Sequence, residues 1–224
     1  MKGYYLMPHP PLIIPQIGRG EEKKIESTIK ACTEIGRRIR ETAPDTVIII
    51  TPHGMVFRDA VAVYTQEEIS GDLGRFGAPG ISMSLETDTE LADLIIENAE
   101  KDGLAAVMIA SGDLSHHLTD DGPYHYSPFG PKFDKRITEI ISSGDIEDIF
   151  YMDEKETREA GECGLRSLYM LAGALDGKEA EGELLSYEGP FGVGYAVAEF
   201  HLSYGADMQD RMTEAGSRHD RRMR

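Results

Sequence analysis

The sequence predicts an α/β fold, a single-domain sandwich around a central mixed, largely parallel β-sheet with helices on both faces. Three observations predict it. Residues 46–50, Thr-Val-Ile-Ile-Ile, form a continuous β-branched run of the kind shown by a strand buried on both faces. Residues 21–41 carry Ile25, Ile29, Cys32, Ile35 and Ile39 at spacings of three and four, which marks an amphipathic helix. Strand-like and helix-like segments then alternate along the chain instead of separating into two blocks. With 224 residues, 40% of them hydrophobic, the chain can bury one substantial core.

Each element has its own local reason. Residues 3–7 form a short apolar strand that ends near His9, and Pro10, Pro11 and Pro15 postpone any long helix to about Glu21. Pro44 and Asp45 close that helix, and the strand at 46–50 runs out at Thr51-Pro52-His53-Gly54. Residues 60–64 and 81–85 read as further strands, joined across a glycine-rich loop at 71–80. Asp88 can cap a helix running to about Lys101, and Gly103 precedes a strand at 104–110. Residues 133–142, 146–152 and 156–175 read as helices, followed by strands at 183–187 and 194–202. The expected domain is 1–205. The remainder, 206–224, is charged and lacks apolar periodicity, so it is expected to be a disordered tail.

The formal net charge of −17 argues against nucleic acid or an anionic membrane as a partner, because both select basic surfaces. No apolar run approaches the roughly 18 residues needed to span a bilayer. The two cysteines, Cys32 and Cys163, make no disulfide framework, so a reducing cytoplasm is the expected home. The sequence leaves assembly as a homodimer open.

Chemistry concentrates in the loops. Five of the seven histidines lie where strands should give way to loops: His9, His53, His116, His117 and His125. In open α/β sheets, sites form beyond the carboxyl ends of the strands, so His9, His53 and His116 can be delivered to one crevice. Neutral imidazole is the commonest metal ligand, and it also serves as an acid or base near neutral pH. An iron site of the facial type needs one carboxylate besides two histidines, and Glu162, in Ala-Gly-Glu-Cys-Gly-Leu-Arg, is the candidate. Asp113 is read either as a partner orienting a ligand histidine or as a turn cap. His201 sits within a strand, where packing explains it.

Read in order, five motifs resemble the catalytic B-subunit (LigB-like) family of class III extradiol ring-cleavage dioxygenases. They are Met-Pro-His-Pro-Pro at His9, Thr-Pro-His-Gly at His53, Gly-Asp-Leu-Ser-His-His-Leu at His116, Gly-Glu-Cys-Gly-Leu-Arg at Glu162 and Tyr-Glu-Gly-Pro-Phe-Gly-Val-Gly-Tyr from Tyr187. The resemblance covers about residues 3–202 and is closest to small stand-alone proteins linked to the AMMECR1 and Memo families. It implies an enzyme that opens a catechol with dioxygen at iron(II). His9, His53 and Glu162 would then be ligands and His116 the acid/base. His117 and His125 fall near the implied pocket, as a substrate-facing and a rim residue, or as ordinary loop histidines. Memo-like proteins place a cysteine at about Cys163, so a site of His9, His53 and Cys163 is the alternative. Its soft thiolate suits copper or zinc, and its role would be binding or signalling without ring cleavage. A zinc-dependent hydrolase is a third reading of the same residues.

Overall fold

The computed structural model describes residues 2–54, 62–97 and 106–202. Strand β1 (Gly3–Met7) buries four of its five residues. The prolines expected to delay the helix seed a short turn at Pro11–Ile13 and α1 (Pro15–Gly18), with proline at or beside the first helical position of each. Next come α2 (Glu26–Thr42), β2 (Thr46–Ile50), β3 (Glu68–Leu73), β4 (Ala78–Glu86) and α3 (Thr89–Glu97). After these follow β5 (Ala106–Ser111), α4 (Phe129–Ser143), α5 (Glu154–Ala160), α6 (Leu165–Leu175), β6 (Ala180–Glu188) and β7 (Tyr195–Leu202).

Five strands form one mixed sheet in the order β2-β5-β1-β7-β6. The pairs β2/β5 and β5/β1 are parallel, while β7 runs antiparallel to both β1 and β6. Alternate residues of β1 feed two cores. Tyr4 and Leu6 join α4 and α6 on one face, with Phe133, Ile137, Ile140, Leu168 and Leu171 at its centre. Tyr5 packs with Ala31 and Ile35 of α2 on the other face. Helices therefore cover both faces, and each fully buried Ile or Leu contributes about 1.5–3 kcal/mol. Among the described residues, no helix is long and apolar enough to cross a membrane.

The parallel strands place the chain after β1, β2 and β5 at one end of the sheet. The Gly189–Gly194 turn reaches the same end, because β7 enters there antiparallel to β1. Two backbone bonds of 2.8 Å, Leu114 N–H to Gly194 O and Gly194 N–H to Ser115 O, tie this turn to the segment after β5.

Four expectations change. First, β2 is an edge strand whose Val47 and Ile49 are exposed, so the run is not buried on both faces. Second, the glycine-rich segment is a β-hairpin, β3 paired with β4 in a separate sheet, with Gly77 taking a positive φ of 83° at the turn. Third, Ala62 to Tyr64 form no strand, while residues 60 and 61 fall outside the described residues. Fourth, the single helix expected at 156–175 is split into α5 and α6. Gly161 leaves α5 in the left-handed region at φ 61°, which ends the helix and frees Glu162 and Cys163 from helical geometry. The end of the helix expected near Lys101 and the tail at 206–224 lie outside the described residues.

Candidate metal centre

His9 stands just beyond β1, held at two points. Its backbone N–H donates to Asp113 Oδ1 at 3.0 Å, and its ring Nδ1 lies 2.9 Å from Ser111 Oγ. With Nδ1 engaged, Nε2 is left to face His53, whose own Nε2 lies 3.0 Å away. The two rings meet edge to face, with centroids 4.7 Å apart. Burial, and secondarily the neighbouring His53, push the pKa of His9 down to about 4, so its imidazole is neutral and carries the lone pair that a metal needs.

Cys163 completes this convergence. Its Sγ lies 3.8 Å from His9 Nε2, and the donor atoms of His9, His53 and Cys163 all fall within 4.8 Å of one another. The backbone N–H of Asp113 points at the sulfur from 3.3 Å, a bond that favours thiolate. Against it, burial first and the charges of Asp113 and Glu162 after it push the thiol up to about 11. A second group of close donors, Asp113, His116 and Cys163, shares the same sulfur.

His116 adjoins the centre, beside Cys163. Its backbone N–H donates to Ala160 O at 3.2 Å, while its Nε2 is buried and has no hydrogen-bond partner among the described residues. Burial lowers its pKa against the opposing pull of Asp113, which favours the neutral ring. A buried orphan nitrogen costs free energy, and such groups mark places where a ligand or reacting group supplies the missing bond. Asp113, itself 8% exposed, has its pKa raised by burial and acts as a support, orienting His9 through the main chain.

Glu162 lies elsewhere. Its Oε2 accepts the backbone N–H of Leu165 at 2.6 Å, capping the start of α6, and it belongs to neither donor group. It lines a cavity of about 260 Å³ together with Met152, Arg158 and Tyr169, and burial raises its pKa. His117 packs against Gly161, where a β-carbon would come 2.4 Å from its Nε2. His125 is exposed in the following loop. In a third set of close donors, Glu183, Glu199 and His201, both carboxylates pair with the guanidinium of Arg38, which already supplies a cation there. Sequence reasoning missed Ser111. Ser111 is a polar residue closing an apolar strand, and that was its available signal.

The donor set fits a metal ion: two imidazole nitrogens and a sulfur already lie within 4.8 Å of one another, and the neighbouring His116 Nε2 has no hydrogen-bond partner among the described residues. Comparison with known families gives a match over residues 3–108 and 104–198 to the catalytic LigB subunit of aromatic ring-opening dioxygenase. The chain belongs to this LigB family. A curated protein of Clostridium acetobutylicum is 37% identical over 265 aligned positions, covering 88% of this chain and 57% of its own length. The chain thus spans little more than half of that relative's length.

Proposed function

We propose that this chain binds a divalent metal ion through His9 and His53, with the sulfur of Cys163 as third donor, and acts on an aromatic diol in the presence of dioxygen. The product would be the ring opened beside the diol. The observation that carries this reading is the 3.0 Å approach of His9 Nε2 to His53 Nε2 beside the unpaired Nε2 of His116, in a chain of the LigB family. His9, His53 and Cys163 would hold the metal, which would supply a Lewis acid for the diol and dioxygen, and iron(II) is the ion this reading calls for.

The remaining chemistry belongs to the chain. His9 presents a neutral nitrogen because burial, and secondarily His53, hold its pKa down, while Ser111 engages the other ring nitrogen. His116, also favoured neutral, accepts a proton from a diol hydroxyl and returns it to the opened product, the task of a general base that becomes a general acid. Glu162 caps α6 and so holds Cys163 in place. That cap engages its Oε2.

A second reading has its own support. Cys163 in the donor set is softer than a carboxylate and suits copper or zinc, which favours a Memo-like binding role without ring cleavage. One experiment separates the two: anaerobic reconstitution with iron(II), then oxygen uptake and ring-opened product across a catechol panel. Tight copper or zinc binding with no oxygen uptake on any catechol selects the second reading.

A further inference from the structure

We infer that the ring of Tyr124 is the platform against which the substrate's aromatic ring packs, an inference that rests on the aromatic-diol reading and deepens it. Tyr124 stacks on His116, with centroids 5.3 Å apart and planes 23° apart. It also stacks on His117, at 5.8 Å and 12°. Both separations lie in the range of offset aromatic stacking. His116 is close in turn to Cys163, which closes on His9 and His53. The Tyr124 plane therefore stands one aromatic layer from the metal donors.

Two features suit this ring to a ligand. It remains 49% exposed, so a large part of its surface is open at the mouth of the centre. It is also carried on a braced loop. Asp120 Oδ1 accepts the N–H of Tyr126 at 2.9 Å, Leu118 N–H donates to Gly192 O at 3.0 Å, and Ser127 N–H donates to His117 O at 3.0 Å. Gly122 lies so close to the Gly189–Gly194 turn that a β-carbon would fall 2.5 Å from Phe191 O. A rigid aromatic surface loses little conformational freedom when a ligand docks. A planar ring whose two oxygens reach the metal and His116 would face Tyr124, whereas a chelator without a ring would gain nothing from it.

The test uses the full chain, wild type and the variants Tyr124→Phe and Tyr124→Leu, loaded anaerobically with iron(II). Metal content is measured on each, followed by titration with 4-nitrocatechol, read from its visible absorption, and with acetohydroxamate, which offers two oxygens and no ring. All three proteins should hold the same metal, and wild type and Tyr124→Phe should bind nitrocatechol alike. Tyr124→Leu should raise its Kd roughly tenfold, from lost stacking and contact area, while acetohydroxamate binding stays level. Equal nitrocatechol affinity in Tyr124→Leu, parallel loss of acetohydroxamate or loss of metal would each overturn the platform. If the wild type itself binds metal but no nitrocatechol, the aromatic-diol reading fails instead.

Discussion

Gly112 and Gly164 pack backbone against backbone: a β-carbon on Gly112 would lie 2.3 Å from Gly164 Cα. This contact presses the end of β5 onto the start of α6. It lets Asp113 O accept from Gly164 N–H at 2.9 Å, and it brings the Asp113 N–H to the sulfur of Cys163. The donor cluster thus depends on two residues without side chains.

Gly112→Ala should therefore disturb both stability and the metal centre. Neither neighbour can yield, since both are main chain, so β5 and α6 must part. We expect a loss of about 1–3 kcal/mol, the usual cost of overpacking, read as a lower urea midpoint. Metal affinity should fall with it as Cys163 withdraws from His9. A variant with the wild-type midpoint and wild-type affinity would contradict the role given to this contact.

Replacing the two candidates for third donor should give opposite patterns. Cys163→Ser should weaken metal binding by tenfold or more, the scale of losing a ligand or its support. Glu162→Ala should keep the metal and lose about 0.5–2 kcal/mol of stability, the cost of removing a helix cap. Because the free thiol titrates near 11, binding at pH 7 should also release a proton from Cys163, measurable by calorimetry in buffers of different ionisation enthalpy. The reverse pattern would hand the third position to Glu162.

His116→Gln should leave metal content unchanged and depress turnover by about 10²–10⁴, the usual contribution of a general acid/base. Elemental analysis alongside oxygen uptake separates the two effects. Metal lost from this variant would make His116 a ligand, as its place in the second donor group with Asp113 and Cys163 would allow.

The sequence carried the scaffold of this site better than its detail. The apolar run of β1 and the periodicity of α2 were legible because burial imposes them, whereas β2 keeps its apolar run at the sheet edge with Val47 and Ile49 exposed. The meeting of His9 and His53 follows from parallel strands ending at one edge. Of the hairpin β3–β4, the strand at 81–85 was legible from its alternation, whereas its partner β3 was not, because it lies outside the main sheet and its glycine and polar residues carry no burial pattern. The choice between Glu162 and Cys163 was hidden for a different reason. They are neighbours, and which one faces the histidines depends on the backbone leaving α5 at Gly161, a break flagged only by the glycines at 161 and 164.

Asp134 gives the fold a pH dependence of its own. It is 1% exposed on α4, where Oδ1 accepts Ser115 N–H at 2.8 Å and Oδ2 accepts the hydroxyl of Tyr187 at 2.7 Å. Burial outweighs both bonds and raises its pKa from 3.8 to about 7. The folded value lies above the unfolded one, so the folded state holds a proton that the unfolded chain releases between these pH values. Its contribution to stability is fully present below about pH 4 and is lost as pH rises through 7, a change on the order of 4 kcal/mol. Asp134→Asn imitates the protonated form, since the amide oxygen can still accept from Ser115 and the amide nitrogen can donate to Tyr187. The variant should unfold at a nearly constant urea concentration between pH 5 and 8, once corrected for the remaining titrations. Wild type should weaken across that window, leaving the variant the more stable of the two at pH 8. Parallel curves for the two proteins would show that Asp134 is ionised throughout and that its two hydrogen bonds offset the cost of burial.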